Sequence, residues 1–227
     1  MPAAADAVCI DPDLLATLPK QVVAATAMDA LAHAVESLMS TSHSTMAAHH
    51  AYRAIELIFD NVEQATAGAS AAVEACLWGS HLAGQALNAG VVVGHSLAYC
   101  LAHEHPMPHG VSCAITLPYC IAYNKNLEPA LASTLARALT GGRSDDLRDA
   151  ARSVMELVRR LGLPVSLDEA GLPAETEAAM AAQCVREYPR PTNPEPLDEH
   201  RIEALLRLMR TGDLDAAFSV TPVGARP

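Results

Sequence analysis

At 227 residues the chain can form one large domain or two small ones. Hydrophobic residues make up 51% of it but aromatics only 4%, an alanine-dominated balance that favours closely packed helices over twisted sheets. The net charge of −11 argues against nucleic acid and anionic membrane surfaces as partners, because phosphate binding needs clustered Lys and Arg.

The N-terminal AVCIDPDLL is a short apolar run ending in Asp-Pro, the pattern of a strand and a turn. One strand cannot pair with itself, so it is expected to be an extended tail or the edge of a sheet outside this chain. From about residue 20 helical periodicity takes over. QVVAATAMDALAHAVESLMS predicts a helix running to a turn near Ser42, and a second helix follows from Ser44 to Gly68. A third covers about Ser70 to Asn88 and a fourth begins near Gly94. Beyond Pro108, GVSCAITLPYCIAYN predicts a fifth around Pro118. LEPALASTLARALTG and DDLRDAARSVMELVRRLG follow, stopped by Gly141–Gly142 and by Gly162. AETEAAMAAQCVREY and DEHRIEALLRLMRTG come last, separated by PRPTNPEP, which cannot be helical. The division expected is a lead-in over residues 1–19 and an all-α domain over residues 20–227, with no internal repeat.

Cys9, Cys76, Cys100, Cys113, Cys120 and Cys184 form no CxxC pair and read as free thiols in a reducing compartment. Residues 1–8 lack a basic leader and are interrupted by Asp6. No apolar stretch is expected to reach the roughly 18 residues that span a bilayer. A cytoplasmic location with no membrane partner is the expectation.

Two constellations of polar residues stand out. MDALAHAVESLM places Asp29 and His33 four apart, on one face of a helix whose neighbours are nearly all apolar. A buried carboxylate must be paired or bind a metal, although an ordinary surface Asp–His hydrogen bond has the same spacing. GHSLAYCLAHEHPMPHG holds four of the ten histidines. In it His95 opens a helix-like run, and His109 lies fourteen residues on, at a Pro-His-Gly turn. A turn folding back on its own helix could bring these two rings together, or both could be surface histidines. Three imidazoles and a carboxylate together would suit a borderline divalent ion such as Zn²⁺ or Fe²⁺.

These stretches resemble the signatures of the iron-containing (group III) alcohol dehydrogenases of the dehydroquinate synthase-like superfamily. ATAMDALAHAVES is similar to the first signature, and GHSLAYCLAHEHPMPHG to the second. IDPDLLATLP, NAGVVVGHS and TNPEPLDEHRIEALL match the family's lead-in, the run before its first helical His, and its late Asn-Pro connector. The resemblance implies an all-α helical bundle like the family's C-terminal domain, with Asp29, His33, His95 and His109 as ligands of Fe²⁺ or sometimes Zn²⁺. It implies NAD(P)-linked chemistry on small alcohols, aldehydes or ketones. DxxxH favours this branch over glycerol dehydrogenases and dehydroquinate synthases.

Two departures from the family accompany the match. Many members carry a second histidine one turn after the first helical one; here that position is Tyr99, expected to line the pocket without binding the metal. His103 and His105 are expected to be solvated loop residues. The family's nucleotide-binding α/β domain has no counterpart: no GxGxxG occurs, and the only double glycine, Gly141–Gly142, follows a helix rather than a strand. No residue here is therefore assigned to cofactor binding. The expected function is that of the metal-binding half of such an oxidoreductase, inactive alone, with NAD(P) used only if a nucleotide-binding domain is supplied. A separate nucleotide-binding chain or a homo-oligomer would be compatible partners. The alternative is a non-catalytic helical metal-binding or interaction module derived from such an enzyme. A hydrolase using metal-bound water is a weaker rival, since no dedicated general base stands beside the four residues.

Overall fold

The computed structural model describes residues 7–104 and 107–221. Residues 7–11 make no ladder, and a 3₁₀ turn, Pro12–Leu15, follows; no strand occurs among the described residues. Among the described residues ten α-helices succeed one another: α1 Lys20–Met39, α2 Thr45–Thr66, α3 Ser70–Ala86, α4 Val93–Glu104, α5 His109–Tyr123, α6 Pro129–Thr140, α7 Leu147–Arg160, α8 Glu177–Glu187, α9 Glu199–Thr211 and α10 Leu214–Ala217. The bundle matches the all-α expectation. A 3₁₀ turn, Leu87–Ala89, closes α3, and the short α10 is an element the periodicity did not indicate.

The boundaries follow from local chemistry. Ser44, Glu128, Asp146 and Asp198 cap α2, α6, α7 and α9 by accepting hydrogen bonds from first-turn amides. Gly141 and Gly212 end α6 and α9 in the left-handed conformation, open to glycine at little cost.

Two helices form the centre. In α5 every residue from Ser112 to Tyr123 is buried, and most of α1 is buried too. A helix that is apolar all round belongs in an interior. Helix α1 packs against α2, α3 and α5, while α5 also packs against α4, α7 and α9. The alanines of α1 (Ala24, Ala27, Ala30, Ala34) keep these axes close, and Leu31, Val35, Ile55, Leu117 and Val158 fill the core between them. Each of the larger side chains contributes about 1.5–3 kcal/mol by leaving water. By contrast α7 is amphipathic, burying Leu147, Ala151, Val154 and Val158 and exposing Arg152, Arg159 and Arg160.

Contrary to the sequence expectation, α1 does have the length and hydropathy of a membrane span, but 72% of that stretch is buried inside the fold. All six cysteines are free thiols; Cys9 is exposed, Cys76 half-buried and the other four buried.

Candidate metal centre

Three helices meet at one point. On α1, Asp29, His33 and Glu36 fall at positions i, i+4 and i+7 and so share a face. Helix α4 brings His95 in its first turn, and α5 brings His109 and, one turn later, Cys113. His109 is the first residue of α5, capped by Pro108, rather than a turn residue as the Pro-His-Gly sequence suggested. Helical geometry therefore fixes both its direction and that of Cys113.

Glycines beside the two remote histidines permit the approach. A Cβ on Gly110 would fall on the backbone carbonyl of Ala25, so the start of α5 lies backbone to backbone on α1. A Cβ on Gly94 would stand 2.5 Å from Glu36 Oε1.

Asp29 gathers the other three residues proposed from the sequence around its carboxylate. Asp29 Oδ1 lies 3.6 Å from His33 Nε2, 3.5 Å from His95 Nε2 and 3.5 Å from His109 Nε2. Donors bound at about 2.0–2.1 Å around a tetrahedral ion stand about 3.3–3.4 Å apart, so each Asp29–histidine separation is close to that of two donors sharing one ion. The set, one carboxylate and three imidazoles, fits a borderline divalent metal.

Glu36 was not singled out by the sequence reading. It is buried against the N-terminus of α4, where its carboxylate accepts hydrogen bonds from Val92 N (2.8 Å), His95 N (3.2 Å) and His95 Nδ1 (2.6 Å). It thus occupies the positive end of a helix, satisfies amides that lack intrahelical partners, and fixes the proton of His95 on Nδ1. His95 Nε2 is thereby turned toward Asp29. Its signal was present in the sequence as the third polar residue of the D-x₃-H-x₂-E stripe. Cys113 was also missed. Its Sγ lies 3.3 Å from Asp29 Oδ1, 3.5 Å from His109 Nε2 and 3.9 Å from His95 Nε2. Its signal was the H-x₃-C spacing from His109.

The electrostatics suit an ion. Burial pushes the Asp29 carboxyl up, but the His95 hydrogen bond and the nearby His33 outweigh it and hold the pKa at about 2. Burial pushes His33 and His109 below the usual imidazole range, against the pull of Asp29. For His95, burial opposes protonation, but Glu36 and then Asp29 raise it well above the usual range. Asp29 is thus anionic and two imidazoles are neutral near pH 7, while His95 must release its Nε2 proton for an ion to bind.

Tyr99, one turn after His95, stacks on the His109 ring (centroids 5.2 Å apart, planes 13° apart) and meets the Tyr188 ring at 5.4 Å. The Arg190 guanidinium lies 5.6 Å from the centroid of the Tyr99 ring. His103 belongs to the last turn of α4, not to a loop, and is exposed; His105 lies outside the described residues. A cleft of about 520 Å³ reaches Asp29 and His109, walled by Val22, Ala25 and Thr26 of α1 and by the turn Gly162–Pro164. Gly141 and Gly142, both at positive φ, close α6 and do not form a strand-to-helix turn that could cradle a phosphate.

Comparison with known proteins agrees with this geometry. Residues 23–209 match the model of the Fe-containing alcohol dehydrogenase family, C-terminal. The chain is 31% identical to the NADPH-dependent butanol dehydrogenase of Clostridium saccharobutylicum over 201 residues, covering 83% of this chain and 52% of that one. It is 34% identical to the maleylacetate reductase of Sphingobium indicum over 204 residues, covering 88% and 55%. A crystal structure of 1,3-propanediol oxidoreductase superposes with a TM-score of 0.81 at 30% identity, over 88% of this chain and 54% of that one. The chain thus spans about half the length of the relatives it matches. It belongs to the Fe-containing alcohol dehydrogenase family, of which it carries the C-terminal, helical domain.

Proposed function

We propose that this chain is the metal-binding half of an NAD(P)-linked oxidoreductase that interconverts small alcohols with their aldehydes or ketones. The observation that carries the proposal is the gathering of the His33, His95 and His109 Nε2 atoms within 3.6 Å of Asp29 Oδ1, with Glu36 behind His95. The butanol, maleylacetate and 1,3-propanediol enzymes among its relatives act on different substrates, so membership alone selects none of them.

A divalent ion held by these residues would supply Lewis-acid polarisation of the substrate oxygen, and a nicotinamide would supply or accept the hydride. Asp29 offers an anionic oxygen and His33 and His109 neutral nitrogens near pH 7, while Glu36 orients His95 Nε2 inward. Tyr99, stacked on His109, shields one face of that imidazole. Dinucleotide binding does not fit the described residues, which include no strand and no phosphate-cradling glycine turn. That task belongs to a nucleotide-binding domain in the same or another chain. The four buried thiols and the acidic surface are consistent with a cytoplasmic enzyme.

The test joins these residues to the N-terminal domain of the butanol dehydrogenase relative. The joined protein is expected to oxidise NADPH with small aldehydes in a metal-dependent way, and the Asp29→Ala version to lose that turnover. The present chain alone is expected to bind Zn²⁺ or Fe²⁺ but to leave NADH and NADPH fluorescence unchanged. Failure to take up metal, or reductase activity indifferent to chelators, overturns the proposal.

A further inference from the structure

Four donor atoms from Asp29, His95, His109 and Cys113 all lie within 4.8 Å of one another. His33 adjoins the same group: its ring stacks on His95 at 4.7 Å, with planes 19° apart, and its Nε2 stands 3.6 Å from Asp29 Oδ1. The cluster of donors therefore contains a sulfur. We propose that Cys113 is itself a metal ligand, its thiolate binding the ion together with Asp29, His95 and His109. The proposal rests on the metal-site reading above and changes the composition of the coordination sphere.

Three features support it. The first is distance. A sulfur at about 2.3 Å and a nitrogen or oxygen at about 2.0–2.1 Å around one tetrahedral ion stand about 3.6 Å apart. The Cys113 separations of 3.3, 3.5 and 3.9 Å bracket that value, and the Asp29 oxygen lies 3.5 Å from both His95 and His109 Nε2. The second is direction. Cys113 follows His109 by one turn of α5, so both side chains leave that helix on the same side. The third is confinement. Cys113 is 1% exposed on a helix held against α1 by Gly110, so it has little freedom to turn elsewhere without moving α5.

On binding, the thiol gives its proton to solvent and the divalent charge compensates the thiolate. A sphere holding one sulfur favours a softer ion, which shifts this site from Fe²⁺ toward Zn²⁺. His33, whose Nε2 stands 3.6 Å from Asp29 Oδ1, keeps its place among the nitrogen donors, and the sulfur is a fifth donor to the same ion.

The experiment uses the full chain loaded with one equivalent of metal and reads structure, not turnover. X-ray absorption of the zinc form is expected to contain one sulfur scatterer at about 2.3 Å beside nitrogen and oxygen at about 2.0–2.1 Å. The Co²⁺ form is expected to show thiolate-to-cobalt charge transfer in the near ultraviolet. Cys113→Ser should abolish that band and weaken zinc binding by about tenfold or more, while Cys120→Ser, at the other buried thiol of α5, should leave the band intact. Because the wild-type spectra decide the question, a variant that fails to fold does not rescue the idea. A bound zinc with only nitrogen and oxygen neighbours overturns the sulfur ligand and leaves the four-residue site standing. A chain that takes up no metal overturns both.

Discussion

Replacing Glu36 by Gln changes one atom of the carboxyl group, yet it should disable His95. Glu36 Oε2 accepts from Val92 N and His95 N, and Oε1 accepts from His95 Nδ1 at 2.6 Å. Three donors point at two acceptor oxygens, and a glutamine has only one oxygen. The less costly orientation keeps that oxygen on the two backbone amides and turns the NH₂ group toward His95. Two donors then face each other unless His95 shifts its proton to Nε2, which is the nitrogen that faces Asp29. The ring would then present an N–H where a lone pair is needed.

Loss of such an orienting carboxylate costs about 10–100-fold in metal affinity, which is about 1.4–2.8 kcal/mol. The assay is competition between the chain and a chromophoric chelator for Zn²⁺ at pH 7, with circular dichroism confirming that Glu36→Gln is folded. The metal-free imidazolium also loses its anionic partner, so the variant should titrate His95 at a lower pH than wild type by NMR. A Glu36→Gln protein that binds zinc within about twofold of wild type would refute the argument from the tautomer.

Gly110→Ala tests the contact that places α5: a Cβ would meet the Ala25 carbonyl. The expected result is a loss of about 1–3 kcal/mol in urea unfolding, together with lower zinc stoichiometry. Gly84→Ala, on an exposed helical position with nothing within 4 Å of the new Cβ, should be neutral or stabilising by comparison. Equal behaviour of the two variants would count against close packing as the cause. Acid unfolding of the metal-free chain tests Asp29. Its pKa is depressed to about 2, so its stabilising contribution is present above the unfolded value near 4 and is lost as pH falls toward 2. About 1 kcal/mol should go between pH 4.5 and 3, and Asp29→Asn should lack that component; identical slopes for the two proteins would show that the carboxylate is not held by its histidines.

The fold was legible because its signals are local. Caps such as Ser44 and Asp198, the stops at Gly141 and Gly162, and the period of α2 and α7 can be read within a few residues. The convergence of Asp29, His33, His95 and His109 was not legible from spacing alone, since each pair had an equally ordinary surface reading; resemblance to a family joined them. Glu36 and Cys113 escaped because their roles depend on contacts 59 and 84 residues away in the chain, with His95 and Asp29. Periodicity marks such residues only as members of a buried face. His109 was expected on a turn because Pro-His-Gly usually is one; here Pro108 occupies the cap and Gly110 is helical so that α5 can touch α1.

The late Asn-Pro connector shows how far the support for one histidine extends. Helix α4 begins without a capping residue of its own. Its opening amides are satisfied instead from a distance, by Glu36 and by Asn193, whose Oδ1 accepts from Val93 N at 3.0 Å. Asn193 is fixed in turn by Asn124, at the end of α5, through a bond of 2.8 Å. The hydroxyl of Ser96 donates to the Tyr188 carbonyl at the end of α8. The first turn of α4, and with it His95, is therefore clamped between α1, the end of α5 and the segment after α8. Asp29, His33, His109 and Cys113 need only α1 and α5 to meet, but His95 needs nearly the whole domain. Metal affinity should accordingly depend on the folding of the helical domain as one unit, even though every donor comes from residues 29–113.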